Sequence, residues 1–437
     1  MSTATETHTH TQVVDQHPPG TPDVSISGTN LPGWFPSAAL QTAEVASATR
    51  PFVTEAGERL EQLTLAYETW GTLSPAKDNV VLVFHALTGD AHAASHPELE
   101  HDRDGWWEPL IGSGRPIDTD RFHAICINVP SSCYGSSGPG TADPTGSRWG
   151  LRFPSFSVRD LVQAQLRLLD VLGIQQVACA IGGSLGGMEA LEFAVTAPER
   201  CGRLVVVAAS ARFHAQGIAY NEVQRRAIML DPEWNGGDYA PDANPTQGIA
   251  LARMLGMVTF QSDESMTMRF GRNADARYAA WPEFHGRFDI EGYLHYQGDK
   301  LASRFDANTY LYLLRAMDTH DVGRDRGGLR SALARITCPT LFIGIRSDVL
   351  FPPEHVQAAA EAAQAVGVMA HYWELNSPHG HDAFLKEFER LDTVLREGVG
   401  TADAPPQPQP RSDPVIEPAL HAQHELTRSA PYAAVAL

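Results

Sequence analysis

Ser184 is the residue of this chain whose surroundings best suit covalent chemistry. It lies in the stretch GGSLGG (182–187), which fits the pattern Gly-x-Ser-x-Gly, after an apolar run and before a segment with helical character. Side chains flanking a serine in such a turn would collide with the adjoining strand and helix. The N-terminus of the helix directs N–H groups and a positive dipole end at the oxyanion that forms when the serine attacks a carbonyl. We therefore predict that Ser184 is a nucleophile, with an incidental serine in a glycine-rich turn as the alternative.

A serine hydroxyl needs a base to take its proton and an acid to orient that base. Asp348 follows the apolar run TLFIGI (340–345), and His381 follows the run HYWEL (371–375). Taken alone, an aspartate at such a position usually forms a turn, and a loop histidine is usually solvated. Together they follow Ser184 in the order serine, acid, histidine that accompanies the Gly-x-Ser-x-Gly motif. We predict that His381 is the base and that Asp348 orients it.

Other residues fit these two roles less well. His379 is a rival base, but His381 is favoured because it directly precedes a helix predicted to begin near Ala383. His379 is expected to be an ordinary loop residue. The weaker rivals for the acid do not follow a predicted strand in the right place; they are Asp120, Asp318 and Asp321.

The elements that would position these residues alternate along the chain. Short continuous apolar runs are typical of parallel strands buried on both faces. Such runs occur at 80–85, 122–128, 177–182, 204–208, 340–345 and 371–375. Segments with helical spacing lie between or after them, at 157–172, from about 187, at 353–365 and from about 383. The alternation predicts an α/β architecture with a mostly parallel sheet flanked by helices, and residues 63–67 are interpreted as an antiparallel strand at the edge of this sheet.

A long segment, residues 211–333, interrupts this alternation. It carries apolar residues at helical spacing, at 221–230, 248–257, 293–305 and 308–317. We interpret it as a helical lid inserted into a core that is formed by residues 36–210 and 334–398. Residues 1–35 are predicted to be a disordered N-terminal arm, and residues 399–437, with the run ADAPPQPQPRSDP, a Pro-rich disordered tail. Together with the serine turn, this order of elements predicts the α/β-hydrolase fold.

The composition of the chain argues against some classes of function. The 437 residues carry a formal net charge of −19, which argues against non-specific binding to nucleic acid or anionic membranes but not against an anionic small ligand in a pocket. There is neither an apolar run long enough to span a membrane nor a signal-peptide pattern. The five cysteines are expected to be buried reduced thiols, which favours the cytoplasm. No cluster of His, Cys or Asp has metal-ligand spacing, so no metal site is expected.

The stretch HALTGDAH (85–92) follows the first predicted strand of the parallel sheet. An oxyanion hole of the hydrolase type takes one N–H group from this loop and one from the residue after the nucleophile. We therefore predict that the backbone N–H groups of Leu87 and Leu185 form the oxyanion hole. His85 is interpreted as a structural residue that supports the loop.

Beyond these general features, the sequence resembles the homoserine O-acetyltransferases of methionine biosynthesis. The resemblance runs through nearly the whole chain between the tails, and its most specific motifs are RFDANTYLYLLRAMD (304–318) and GHDAFL (380–385). Further matching stretches are IDTDRF (117–122), CYGSSGP (133–139), RFPSFSVRD (152–160), IGGSLGGMEALE (181–192) and ALARMLGMVTFQS (250–262). One segment departs from the family pattern: Pro130, Ser131 and Ser132 precede Cys133 where these enzymes usually have Leu-Gly-Gly.

The resemblance implies acetyl-CoA as a co-substrate with no further cofactor, L-homoserine as the acceptor, an acetyl-serine intermediate, and a homodimer joined through the lid helices. Arg253 matches the lid arginine that binds the carboxylate of the amino acid, and Asp382 matches the acid that binds its amino group. A zwitterionic acceptor requires one such cation and one such anion near the nucleophile. From the sequence alone, Arg253 could instead form a surface ion pair, and Asp382 could cap the next helix.

Three alternatives remain open. The same chemistry could serve L-serine O-acetylation or homoserine O-succinylation. A serine esterase would pass its acyl group to water and would have no reason to place Arg253 and Asp382 at the pocket. A non-catalytic binding protein is disfavoured because the serine, the acid and the histidine are all present.

Overall fold

An eight-stranded sheet lies at the centre of the protein, whose computed structural model describes residues 36–99, 103–240, 242–275, 277 and 284–400. The strands assigned in these ranges are β1 (Gln41–Ala46), β2 (Phe52–Val53), β3 (Arg59–Leu60), β4 (Leu63–Trp70), β5 (Val80–Phe84), β6 (Ile111–Gly112), β7 (Ile117–Asp118), β8 (His123–Ile127), β9 (Cys179–Gly183), β10 (Leu204–Val207), β11 (Thr340–Ile345) and β12 (Ala370–Leu375). Strands β2 and β3 form one small separate sheet, and β6 and β7 form another.

The large sheet has the order β1-β4-β8-β5-β9-β10-β11-β12. From β8 to β12 all neighbours are parallel, which confirms the prediction of a mostly parallel sheet. The predicted apolar runs correspond to β5 and to β8 through β12. In β5, Val80, Leu82 and Phe84 belong to one apolar cluster, and Val81 and Val83 belong to another on the opposite face. Burial on both faces explains why these strands show no polar alternation.

The antiparallel strand predicted at residues 63–67 exists, but its predicted place at the edge is wrong. Strand β4 extends to Trp70 and pairs antiparallel with both β8 and β1. The edge strand is β1, which the sequence analysis missed. Its sequence QTAEVA is buried only at the last two residues, so it shows neither a continuous apolar run nor a clean alternation.

The helices account for most of the remaining described residues. The α-helices are α1 (Val158–Val171), α2 (Leu185–Thr196), α3 (Ala215–Met229), α4 (Thr246–Phe260), α5 (Asp263–Phe270), α6 (Asp289–Ala302), α7 (Ala307–Asp318), α8 (Leu329–Leu333), α9 (Pro353–Gln364) and α10 (Phe388–Gly400). Short 3-10 helices lie at Glu108–Leu110, Gly150–Arg152, Pro198–Arg200, Pro232–Gly237 and Gly380–Leu385. None of the helices in the described part of the chain is long and apolar enough to cross a lipid bilayer.

The segment between β10 and β11 forms α3 to α8, so its predicted helical character is confirmed. The predicted helices correspond to α3, α4, α6 and α7, and α4 packs against both α3 and α6. Helix α5 was missed because it has eight residues, of which only Ser265 is buried, and therefore no apolar stripe. The division into a core and a lid at residues 211–333 stays a prediction.

The C-terminal end of the described chain differs from the expectation. The helix predicted from about Ala383 begins later, because Gly380–Leu385 is a 3-10 helix and α10 starts at Phe388. Helix α10 ends at Gly400, two residues beyond the predicted end of the core. The predicted N-terminal arm, and the tail from residue 401, lie outside the described residues.

All five cysteines are buried and carry free thiols, as the sequence predicted.

Candidate active site

Ser184 occupies the turn between β9 and α2. Its backbone has φ 60° and ψ −124°, a conformation that residues with a side chain rarely adopt, and its N–H donates to the carbonyl of Val207 at 3.0 Å. The glycines around it are required by space. A Cβ atom on Gly186 would lie 2.1 Å from the carbonyl oxygen of Phe84, and one on Gly183 would lie 2.7 Å from the ring of Phe384. The backbone of the turn is therefore held tightly between β5 and the 3-10 helix.

The structure brings Ser184, His381 and Asp348 into one chain of hydrogen bonds. The Nε2 atom of His381 lies 2.8 Å from Ser184 Oγ, and its Nδ1 atom lies 2.7 Å from Asp348 Oδ2. The other carboxylate oxygen of Asp348 accepts the N–H groups of Leu350 and Phe351, both at 2.8 Å. Ser184, His381 and Asp348 are each at least 95% buried. A carboxylate oriented by two backbone donors can hold the imidazole with Nδ1 protonated and leave Nε2 free to accept the serine proton.

Aromatic rings fix the plane of the imidazole of His381. The ring of Phe351 stacks on it with 5.3 Å between centroids, and the ring of Phe384 meets it edge-on at 5.5 Å. The ring of Phe260, at the end of α4, approaches to 5.9 Å. No local sequence pattern marks these aromatic residues, because their role depends on contacts between separate parts of the chain. The prediction that His381 directly precedes a helix is wrong, because the residue lies inside the 3-10 helix.

The rival residues lie in other environments. His379 is half exposed and contacts Ser265 Oγ at 3.4 Å. Asp318 pairs with Arg225 and accepts a hydrogen bond from Asn221. Asp120 accepts a hydrogen bond from Ser113, and Asp321 lies 3.4 Å from Arg212. None of these four rivals, all in the described part of the chain, is hydrogen-bonded to Ser184 or His381.

A cavity opens at Ser184 between the sheet and the helices of the insertion. Its lining residues are Ala86, Leu87, Thr88, Ser184, Asn221, Gln224, Arg253, Thr259, Phe260, Met317, Leu350, His381, Asp382, Phe384 and Leu385. Leu87 lines this cavity, and Leu185 is the first residue of α2, so its N–H cannot find a partner within that helix. Leu87 thus lines the cavity of Ser184 and Leu185 follows Ser184 in the chain, and their role as the oxyanion hole stays a prediction.

Arg253 and Asp382 both line this cavity. Arg253 is partly buried. Its Nε atom is shielded from solvent and has no hydrogen-bond partner among the described residues, and its guanidinium lies over the ring of Phe260 at 5.3 Å. Burial lowers the pKa of Arg253 from its ordinary value, because the charged form is removed from water. The surface ion pair considered from the sequence is therefore not what the structure contains.

Two neighbouring side chains contact the carboxylate of Asp382. Its Oδ2 atom accepts a hydrogen bond from Gln261 at 2.5 Å and lies 3.5 Å from Lys386 Nζ. It is not the N-cap residue that the sequence analysis considered, because it lies inside the 3-10 helix and α10 begins only at Phe388.

His85 supports the loop that carries Leu87, as we had interpreted it. Its Nδ1 atom lies 2.8 Å from the Ala86 carbonyl, and its Nε2 atom accepts the N–H of Val129 at 3.2 Å. Since a carbonyl only accepts and an N–H only donates, the proton resides on Nδ1. Burial lowers the pKa of this imidazole.

One cluster outside the cavity was not visible in the sequence. The carboxylate of Glu68 in β4 lies against the imidazoles of His92 and His96 from the segment after β5. His92 and His96 are only four residues apart, but Glu68 is 24 residues from His92 and 28 from His96, so the sequence did not reveal the complete group.

Comparison with known proteins agrees with this geometry. Residues 79–388 match the family model described as the alpha/beta hydrolase fold. A homoserine O-acetyltransferase from Symbiobacterium thermophilum is 49% identical over 358 residues, which cover 81% of this chain and 93% of that protein. A homoserine O-succinyltransferase from Methylibium petroleiphilum is 44% identical over 82% of this chain and 94% of its own.

Solved structures show the same likeness. The homoserine O-acetyltransferase from Bacillus anthracis has a TM-score of 0.77 at 25% identity and covers 84% of this chain and 99% of its own. The esterase E22 has a TM-score of 0.75 at 28% identity, over 82% of this chain and 99% of its own. The chain belongs to the α/β-hydrolase fold family and, within it, to the homoserine O-acetyltransferase family.

Proposed function

We propose that this protein transfers the acetyl group of acetyl-CoA to the γ-hydroxyl of L-homoserine through an acetyl ester on Ser184. The observation that carries the proposal is the pair of opposite charges in the cavity of Ser184. Arg253 supplies a partly buried cation whose Nε has no hydrogen-bond partner among the described residues, and Asp382 supplies an anion. A zwitterionic amino acid satisfies both, because its carboxylate can accept from the guanidinium and its ammonium can donate to the carboxylate.

In the first half of the reaction, Ser184 attacks the thioester carbon while its proton passes to His381 Nε2. The 2.8 Å contact between Oγ and Nε2 is suited to this transfer. The N–H groups of Leu87 and Leu185 stabilise the oxyanion of the tetrahedral intermediate. The carbon–sulfur bond then breaks, and the coenzyme A thiolate leaves with the proton held by His381.

In the second half, the acceptor enters the same cavity. Arg253 and Asp382 hold its carboxylate and ammonium, so that its γ-hydroxyl faces the acetyl ester. His381 takes the hydroxyl proton, the acceptor oxygen attacks the ester, and the Ser184 oxygen leaves and recovers the proton. Every proton and electron pair is carried by these residues, so the proposed transfer requires no metal ion or prosthetic group. Acetyl-CoA acts as a co-substrate.

An esterase is the second candidate, because the esterase E22 shares this architecture. In an esterase, water would attack the acyl-serine. Seven of the fifteen lining residues of the cavity are apolar, including Leu350, Phe384 and Leu385, which limits the water available for that attack. The cation of Arg253 in this cavity has no role in ester hydrolysis, and we therefore favour the transferase.

The alternative acyl donor, succinyl-CoA, and the alternative acceptor, L-serine, are not equally well supported. The succinyltransferase relative, 44% identical, keeps succinyl-CoA open as a donor. L-serine is one methylene shorter than homoserine, so its hydroxyl would fall short of the acetyl ester if the same two charges held it. We propose acetyl and homoserine because several relatives that are 43–49% identical carry that name.

One experiment separates these candidates. The purified protein is incubated with acetyl-CoA or succinyl-CoA, together with homoserine, serine or no acceptor, and release of the coenzyme A thiol is followed. Release with acetyl-CoA that depends on homoserine supports the proposal. Equal release without an acceptor would instead identify a hydrolase, and faster release with succinyl-CoA or serine would reassign the substrate.

We further propose a cytoplasmic homodimer that binds neither nucleic acid nor membranes. The helices of the insertion expose large apolar side chains on their outer faces, and burial of these side chains in a dimer would be favourable. They are Val223, Leu251, Val258, Met268 and Tyr296. Sedimentation velocity at micromolar concentration should give a dimer, and a monomer would contradict this part of the proposal.

A further inference from the structure

Glu68, His92 and His96 form a buried cluster that the proposed acetyl transfer does not use. The Oε2 atom of Glu68 lies 2.8 Å from His92 Nδ1 and 2.8 Å from His96 Nε2. Each residue offers one ligand atom, and the three atoms lie within 4.8 Å of one another. All three residues are at least 96% buried. One carboxylate and two imidazoles thus point at a single place in the interior.

The outer nitrogens of both imidazoles also have oxygen acceptors. His92 Nε2 lies 2.7 Å from the carbonyl oxygen of Arg103, and His96 Nδ1 lies 3.4 Å from the carboxylate of Glu98. A carbonyl can only accept, so His92 carries a proton on Nε2 and its Nδ1 is directed inward. Histidines that bind metals typically donate their outer N–H to a carbonyl or a carboxylate in this way.

A small cavity adjoins the cluster. Its lining includes Glu68, His92 and Asp90, together with Arg103 and Tyr134. The cavity has room for about one water molecule. The carboxylate of Asp90 is paired with Arg103 at 2.6 Å, so these two charges offset each other and the carboxylate of Glu68 supplies the negative charge at this place. The surroundings therefore suit a cation better than an anion.

We propose that Glu68, His92 and His96 bind one divalent transition-metal ion, with Zn²⁺ as the best fit. Two imidazole nitrogens and one carboxylate oxygen are ligands that Zn²⁺ accepts, and a water from the adjoining cavity would complete four-coordination. Zinc–ligand bonds of about 2.0–2.1 Å place tetrahedral ligand atoms about 3.3 Å apart. The present 2.8 Å contacts would therefore widen by about half an ångström, which small side-chain rotations supply.

The ion would tie the segment after β5 to the strand β4. That segment begins with His85 and carries Leu87, so a metal at its far end would stabilise the loop from which the oxyanion N–H is proposed to come. The role is structural, because the cluster lies outside the cavity of Ser184. The proposal is independent of which acyl group or acceptor the enzyme uses.

The competing interpretation is a cluster held by hydrogen bonds alone, in which both imidazoles donate N–H groups to Glu68. A measurement on the wild-type protein distinguishes the two. The full-length chain, expressed without a polyhistidine tag, is stripped with a chelator and titrated with Zn²⁺ against a chromophoric competitor. X-ray absorption of the one-equivalent sample should show two imidazole ligands and additional oxygen ligands at about 2.0–2.1 Å. Zinc surrounded only by water oxygens, or by four imidazoles from surface histidines, would overturn the proposal.

Variants give an independent test. His96→Asn removes the imidazole ligand, because the shorter asparagine amide cannot take the place of His96 Nε2 beside Glu68. His371→Ala removes a histidine of β12 remote from the cluster and is the control. We expect His96→Asn to lower the affinity of the tight site by at least about 100-fold and to abolish the rise in thermal midpoint on adding Zn²⁺. The control should behave as wild type. Equal tight binding by His96→Asn and wild type would refute the site, and circular dichroism shows whether each variant is folded.

Discussion

The ring of Phe351 stacks on the ring of His381, with 5.3 Å between the centroids and 24° between the planes. The backbone N–H of the same phenylalanine donates to Asp348 Oδ1 at 2.8 Å. One residue at the end of the loop after β11 therefore orients both the imidazole and the carboxylate. The parallel pairing of β11 with β12 brings the two loops to the same edge of the sheet, and this contact then fixes the imidazole and the carboxylate relative to each other.

Asp348→Asn tests the orienting role of the carboxylate. The amide keeps the size of the side chain but favours the imidazole tautomer with the proton on Nε2, which cannot accept the serine proton. We expect kcat for homoserine acetylation to fall about 10⁴-fold. Asp120→Asn, at an exposed carboxylate bound to Ser113, is the control and should keep full activity. A loss of less than tenfold in Asp348→Asn would mean that another group orients His381.

Arg253→Met tests acceptor binding separately from acylation. The methionine retains apolar packing over Phe260 but removes the cation. We expect kcat/KM for homoserine to fall roughly 100-fold or more, because a carboxylate would enter the cavity without its partner. The burst of thiol release from acetyl-CoA, which precedes acceptor binding, should stay within about threefold of wild type.

The matched control for this change is Arg226→Met, at an exposed position of α3. If both half-reactions of Arg253→Met slowed to the same extent, the arginine would act on the acyl donor or on folding rather than on the acceptor.

The buried carboxyl of Glu189, on α2, should make the stability of the folded protein depend on pH. Burial raises the pKa of this carboxyl from 4.5 to about 8, and Gln165 is its hydrogen-bond partner. The native state therefore keeps a proton that the unfolded chain loses above pH 4.5, so stability is greatest at low pH and falls as pH rises toward 8. The fall attributable to this group is about 4 kcal/mol between pH 4.5 and pH 8.

Glu189→Gln preserves the shape of the side chain and has no proton to lose. Urea unfolding at pH 5, 6.5 and 8 should show a smaller decline for this variant than for wild type, with the largest gain at pH 8. Glu354→Gln, on the outer surface of α9, should follow the wild-type curve. Parallel curves for Glu189→Gln and wild type would show that Glu189 titrates normally in the folded protein.

Ser131, one of the residues that depart from the family pattern, has a strained backbone conformation. It has φ 72°, its hydroxyl is buried, and Oγ has no hydrogen-bond partner among the described residues. Glycine, which the family usually has here, tolerates this conformation and carries no hydroxyl. Ser131→Gly should therefore raise the free energy of unfolding by about 1 kcal/mol, after the entropy that glycine adds to the unfolded chain is subtracted.

The neighbouring change Ser132→Gly is a close control for this prediction. It also removes a buried hydroxyl without a partner, but Ser132 is not in the left-handed region. It should show no comparable gain in urea unfolding. A destabilised Ser131→Gly would show that the hydroxyl makes a contact that outweighs the strain.

Much of the central sheet could be predicted because its strands are buried on both faces. A short continuous apolar run such as TLFIGI is typical of a strand buried on both faces, and β11 spans this run. The edge strand β1 and the short helix α5 escaped prediction for the opposite reason, since both are largely exposed. The start of α10 was misplaced because GHDAFL carries apolar residues that fit a helix, whereas its contacts close a tighter 3-10 turn.

The sequence by itself determined which residue types could act and in what order they follow one another: a serine between glycines, an acid after one strand and a histidine after the next. Only the tertiary structure decided that Nε2 of His381 lies 2.8 Å from Ser184 Oγ, that Arg253 lines the same cavity, and that Glu68 meets His92 and His96. Local patterns report local periodicity and turn chemistry. Distances between residues far apart in the chain depend instead on how strands are ordered in the sheet and on how loops pack at its ends, which no local pattern encodes.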